Sequence, residues 1–204
     1  MSDDLGWDVA ADVVRGTKRN PTKVARLAEW IVAQRGIPVI TIVDQMAYER
    51  RRVVVWVRSE LDAAALDSSR SAISAHIADG ERGHWLRPDP EPPFLITKSF
   101  ESAARDNVTR QLGADGYRAI EALIGDPALA ELVIFFGWVI FFVHTDAQKV
   151  AFVETSAAWQ RKVLDYLSSY DEFGVVKAES FRFTLDSKET LDRDYAGSTY
   201  YYLK

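Results

Sequence analysis

Trp138-Val139-Ile140-Phe141-Phe142-Val143, then His144-Thr145-Asp146-Ala147-Gln148-Lys149, then Val150-Ala151-Phe152-Val153: the reading of this stretch decides the fold. The first run is built from β-branched and aromatic residues and is apolar at every position. Both of its faces need cover, so it belongs at the centre of a sheet rather than at an edge. The polar segment reads as a turn and the second apolar run as its return arm, which predicts an antiparallel hairpin. Ser156 then opens a helix over 157–169, with Trp159, Val163, Tyr166 and Leu167 facing inward.

The same vocabulary recurs upstream. Ile37–Val43 and Val53–Val57 are short β-branched runs that read as buried strands joined across 44–52, where Met46, Ala47 and Tyr48 can extend either arm. Before them, Asn20-Pro21 has the form of an N-cap with proline at the first helical position, and Val24, Leu27, Ala28 and Ile31 keep helical spacing until Gly36. Trp7, Val9, Ala10, Val13 and Val14 suggest an earlier helix over 7–16. Leu61, Leu66, Ile73 and Ile77 predict one over 62–79, ended by Gly80.

Four of the seven prolines fall between Arg87 and Pro93, which marks an extended connector. After it, Phe94–Thr97 reads as a short strand. Ser99 caps a helix with Ala103, Ala104, Val108 and Leu112 inward, and Tyr117, Ile120 and Ile124 mark a helix over 115–124. Asp126-Pro127 repeats the cap-then-proline signal and predicts a further short helix, whose end stays open between termination at Gly137 and the strand composition of Val133–Phe136. Alternation of Phe181, Phe183 and Leu185 with Arg182 and Thr184 gives a half-buried strand, and Asp186 and Glu189, at capping-box spacing, predict a short turn or helix that Gly197 breaks. Ser198–Leu203, with three consecutive tyrosines, has strand composition.

These elements define an α+β chain, a mostly antiparallel sheet flanked by helices, within a single domain over 1–204. The order helix, strand, strand, helix occurs at 21–79 and again at 115–169. That pattern raises the reading of pseudo-repeat halves 1–87 and 94–204 joined by the connector 88–93.

Composition narrows the function classes. There is no cysteine, so thiolate nucleophiles, disulfides and Cys-ligated metals are excluded, and the chain suits a reducing cytoplasm. The N-terminus lacks a basic then apolar leader. The most apolar segment, Leu132–Val143, is twelve residues long where a bilayer span needs about twenty. Net charge is -5, with the negative excess in the C-terminal half, which argues against a nucleic-acid partner. The small basic clusters, Arg50-Arg51-Arg52 and Lys18, Arg19, Lys23 and Arg26, read as a solvated turn and a solvated helix start.

No Gly-x-Ser-x-Gly, Walker or dinucleotide fingerprint occurs. The histidines, His76, His84 and His144, have no metal-ligand spacing, so neither a metal nor a cofactor is expected. Asp44 and Glu60, each after a buried strand, imitate a nuclease carboxylate pair without its lysine. If the 138–153 hairpin is tight, His144, Asp146 and Glu154 share a cleft and form an acid-base group, the basis of an alternative reading as a small-ligand binder or enzyme. The other candidate surface is C-terminal: Tyr195, Tyr200 and Tyr201 among Asp186, Glu189, Asp192 and Asp194, a combination of rigid contact area and charge that suits a basic protein partner.

Phe183-Thr184-Leu185-Asp186-Ser187-Lys188-Glu189, followed by Asp192-Arg193-Asp194-Tyr195-Ala196-Gly197-Ser198-Thr199-Tyr200-Tyr201, resembles the C-terminal ends of some immunity proteins of bacterial polymorphic-toxin systems. The resemblance covers about 20 of the 204 residues. It implies a small cytoplasmic protein without catalysis that neutralises a cognate toxin by binding it.

Overall fold

The computed structural model describes residues 6–47, 50–79 and 92–204. His84 and the connector up to Glu91 lie outside the described residues. The chain resolves into two compact units, Met1–Ala103 and Ala104–Lys204, each with its own three-stranded sheet. The α+β class holds, but each sheet is mixed rather than mostly antiparallel.

In the first unit, α1 (Trp7–Arg15) and α2 (Thr22–Arg35) precede the hairpin β1 (Val39–Ala47) and β2 (Arg50–Val57). Two helices, α3 (Glu60–Asp67) and α4 (Arg70–Ala78), carry the chain across to β3 (Phe94–Ser99), which lies parallel to β2 and runs into α5 (Phe100–Gln111). A parallel neighbour demands such a crossover, because a tight turn can only reverse the chain. Val53, Val55 and Val57 join Leu27 and Ile31 of α2, Leu66 of α3 and Ile73 and Ile77 of α4 in one core. The alternate residues Val54 and Trp56 are equally sealed on the opposite face. There the Trp7 ring lies 6.1 Å from that of Trp56 and 5.1 Å from that of Phe100.

The second unit repeats the plan. From α6 (Gly113–Ile124) the chain forms the hairpin β4 (Leu129–Phe135) and β5 (Trp138–Val143), crosses through α7 (Asp146–Ala151) and α8 (Ser156–Ser168), and returns as β6 (Arg182–Ser187) parallel to β5. Then come α9 (Lys188–Tyr195) and the short α10 (Thr199–Tyr202). Val139, Phe141 and Val143 pack with Ile120 and Ile124 of α6 and Trp159, Val163 and Leu167 of α8. Ile140 and Phe142 face Leu191, Tyr195, Tyr202 and Leu203 from α9, α10 and the residue after it.

The correspondence extends to chemistry. Both hairpins shift register after their first pair, Val39↔Val57 and Leu129↔Val143. Both are preceded by a left-handed glycine and a Gly-x-Pro step, Gly36-Ile37-Pro38 and Gly125-Asp126-Pro127. Both central strands lead into capping boxes, Ser59 with Asp62 and Thr145 with Gln148. Both third strands end in a buried serine that accepts the N–H of the next helix, Ser99 from Ser102 at 3.2 Å and Ser187 from Thr190 at 3.0 Å.

Several expectations are corrected. The predicted strand Val150–Val153 belongs to α7 and the turn after it, because Thr145 and Gln148 form a capping box and both edges of β5 are taken by β4 and β6. Val150 and Val153 consequently stand exposed. Residues 129–135 are strand β4, not a helix. Here Asp126 accepts the N–H of Ala128 at 2.9 Å in a turn, and Phe136-Gly137 is a two-residue hairpin connection. The helix predicted over 62–79 is two helices broken at Ser68-Ser69.

Residues 199–202 are helical rather than strand, capped by Ser198, whose side chain accepts from the Tyr201 N–H. Ser187, not Asp186, caps α9. Asn20 does not cap α2. Its side-chain amide donates to the Ile40 carbonyl at 2.7 Å, and its oxygen accepts from Thr41 Oγ1 at 2.6 Å.

Phe141 is fully buried against Trp159 and Phe183. Phe141→Ala removes a ring from the middle of the second sheet and is expected to lower unfolding free energy by about 3–5 kcal/mol, measured as a shift of the urea midpoint with little change of slope.

Candidate functional site

The C-terminal ends of β5 and β6 lie side by side, and the helices α7 and α9 start there. Asp146, the first residue of α7, accepts hydrogen bonds from Ser187 Oγ, from Thr190 Oγ1 at 2.8 Å and from the Arg193 guanidinium at 2.8 Å. Its own N–H donates to Glu189 Oε2 at 2.7 Å. The hydroxyl of Ser187, the Arg193 guanidinium and the hydroxyl of Thr190 together hold the Asp146 carboxyl far below the usual carboxylate range. Arg193 also pairs with Asp194 at 3.0 Å, and the two carboxylates raise its pKa further. A matching contact occurs in the first unit, where Glu60, the first residue of α3, accepts from Ser102 Oγ.

Asp186 lies on the neighbouring inner position and is nearly sealed from solvent. It accepts from Lys149 Nζ at 2.7 Å, from Tyr202 OH at 2.7 Å and from the Ser187 N–H at 2.8 Å. Burial pulls its pKa upward, but those hydrogen bonds and the ammonium charge outweigh it and leave the carboxyl ionised below its ordinary value. Burial and the adjacent Asp186 carboxylate push the Tyr202 phenol well above its ordinary range. Asp186 is thus the pin that holds α10 to the sheet, not a surface contact.

The acid-base constellation does not assemble. His144 is exposed, with Nε2 at 3.2 Å from the Pro127 carbonyl, a geometry that puts the ring proton on Nε2. Asp146 is engaged as described, and Glu154 stands exposed in the turn between α7 and α8. The return strand that was to set Glu154 opposite His144 does not exist. Asp44 lies inside β1, clamped by Arg51 at 2.9 and 3.0 Å across the hairpin, whereas Glu60 opens α3. Arg51 is itself buried, which splits the arginine triplet. His76 stacks on Trp30 with ring centroids 3.7 Å apart, and burial lowers its pKa against the opposing pull of Asp79. Among the described residues no group of three or more histidine, cysteine, aspartate or glutamate side chains is placed to hold a metal ion. No helix among them is long and apolar enough to cross a membrane.

The surface of α9 and α10 divides cleanly. Tyr195 and Tyr202 turn inward onto Phe142, whereas Tyr200 and Tyr201 are 64% and 58% exposed and Asp192 and Asp194 face solvent. The two outer rings meet edge to face at 5.5 Å, and the Lys204 ammonium sits 4.5 Å from the centre of the first and 5.5 Å from that of the second.

A second aromatic surface escapes the sequence reading. Phe135 and Phe136, 46% and 68% exposed, meet edge to face at the β4–β5 tip beside a groove of about 450 Å³ lined by Thr109, Arg110, Tyr117 and Ile134. Phe136 has φ 46° and Gly137 φ 74°. A two-residue turn with both φ values positive favours Asn-Gly, and a bulky residue held there costs roughly 1–2 kcal/mol. The sequence signal for it is the Phe-Gly pair between apolar runs, which competes with Gly137 as a helix terminator.

Set against protein-family models, curated proteins and solved structures, the chain finds no match in any of the three.

The depressed Asp146 pKa has a pH signature. A carboxyl whose folded pKa lies below its unfolded value of about 3.9 stabilises the fold above that pH and loses the contribution as pH falls toward the folded pKa. Asp146→Asn is therefore expected to lower the urea midpoint at neutral pH. Its deficit relative to wild type should narrow steadily below about pH 4.

Proposed function

We propose that this protein acts by binding another protein, as an immunity-type inhibitor of a basic bacterial toxin domain, through the face formed by α9 and α10 and without catalysis of its own. The observation that carries the reading is the seating of the Lys204 ammonium on Tyr200 and Tyr201. An exposed tyrosine pair that already holds a cation is a surface for the lysines and arginines of a partner. Asp192 adds exposed negative charge on the same helix pair and Asp194, paired with Arg193, borders it, which steers a basic partner and raises its association rate. Tyrosine supplies large contact area at small entropic cost, so two exposed rings can dominate such an interface.

Of the residues singled out by the C-terminal sequence, Asp192, Asp194, Tyr200 and Tyr201 take this role. Asp186 and Tyr195 support the face from beneath, and Glu189 receives the Asp146 N–H.

The test is co-expression with the product of the adjacent reading frame, followed by co-purification and growth rescue. Tyr200→Ala and Tyr201→Ala are each expected to weaken capture by roughly 30-fold, and Asp192→Lys to slow association, with unchanged melting because the side chains are exposed. His144→Ala should leave capture and rescue intact. Full rescue by the double tyrosine variant would sink the proposal.

A further inference from the structure

The Phe135-Phe136 tip is a second surface, beside a groove that no residue of α9 or α10 lines. A turn of this geometry is best served by asparagine followed by glycine, and Gly137 supplies the second half. Phe136 supplies the wrong first half and gains little burial in return, since 68% of it faces solvent. Its ring contacts Phe135, itself 46% exposed, so the pair projects apolar area outward rather than into a core. A residue that opposes the local backbone and does not serve the core is explained by something it touches outside the fold.

The groove beside the tip gives that partner its chemistry. Tyr117 and Ile134 form an apolar wall, fixed by the tyrosine hydroxyl donating to the Ile134 carbonyl at 2.9 Å. Arg110 stands exposed at the rim. Its Nε reaches only the backbone carbonyl of Asp106, at 3.4 Å, and the guanidinium pairs with no carboxylate among the described residues. The other charged lining residue, Asp106, has Oδ1 withdrawn from solvent.

We infer that the β4–β5 tip and its groove form a docking site for an extended segment of a protein partner that presents an apolar side chain next to a carboxylate. The apolar side chain lies between Phe136 and the Tyr117–Ile134 wall, and the carboxylate meets Arg110, whose planar fork suits it.

The test uses the full chain with a fluorescein-labelled peptide, Gly-Phe-Leu-Asp-Glu-Gly, and its Asn-Gln counterpart, read by fluorescence polarisation and amide chemical shifts. The acidic peptide is expected to shift Arg110, Tyr117 and Phe135–Gly137. The amide peptide, Arg110→Gln and Phe136→Asn should each weaken binding about tenfold. Phe136→Asn should melt no lower than wild type, because asparagine suits the turn. Tyr200→Ala should leave this binding unchanged, so that its failure and that of the α9–α10 reading are told apart. Equal peptide affinity for wild type and both variants would overturn the site, as would shifts elsewhere or no binding at all. A Phe136→Asn protein that melts several degrees lower would make Phe136 a packing residue. Concentration-dependent dimerisation abolished by Phe136→Asn would assign the tip to a second copy instead, and anionic-vesicle binding abolished by it to a lipid surface.

Discussion

Val53 to Val57 and Val139 to Val143 are sealed from solvent on both faces. A strand with no wet face needs a paired strand on each edge and a layer of side chains on each side. In each unit the antiparallel partner comes from a local hairpin, and the parallel partner arrives through a two-helix crossover that also covers one face. The opposite face is closed differently in the two units. Trp7 of α1 packs there in the first, whereas α9 and α10 supply Leu191, Tyr195 and Tyr202 in the second. Helix α10 is therefore a covering element, and its outer tyrosines stand exposed while its inner one is pinned by Asp186.

What was legible in the sequence follows from that constraint. The unbroken apolar runs at 53–57 and 138–143 mark buried strands, and the second a central one. The i, i+3, i+4 pattern of α2 and α8 and the alternation in β6 were read correctly for the same reason: one side of each element meets a core. The misread segments lie where short-range chemistry and composition disagree. Val150-Ala151-Phe152-Val153 has strand composition, but Thr145 and Gln148 had already committed the chain to a helix. Three tyrosines at 200–202 favour a strand by propensity, yet no sheet edge receives them and Ser198 starts a helical turn. Asn20 had the right identity for a cap and spends its hydrogen bonds on β1 instead.

The candidate site was legible only in part. Aspartates and tyrosines near the C-terminus are visible as composition, but which of them face outward depends on the helical period of α9 and α10, and a strand reading of 198–203 assigns the faces of α10 wrongly. The polar residues that looked most reactive serve as joinery. Asp146 and Glu60 each open a helix beside a parallel strand pair; the hydroxyls of Ser187 at the end of β6 and Thr190 of α9 donate to Asp146, and that of Ser102 of α5 donates to Glu60. The crevice at the carboxyl ends of parallel strands often holds ligands in other sheets; in each unit here a carboxylate of the chain itself lies there.

The mixed sheet also dictates an order of events during folding. Each hairpin joins residues close in sequence, whereas Val57 must wait for Ser99 and Val143 for Ser187 before the parallel pairs can close. Contacts of such separation form late, because the intervening chain must be ordered first. Until then the most apolar strand of each unit has one open edge and two uncovered faces, the combination most prone to pairing with another molecule. The last strand to arrive in each unit thus acts as an internal guard against aggregation, and the speed of its crossover sets how long a newly made chain is vulnerable.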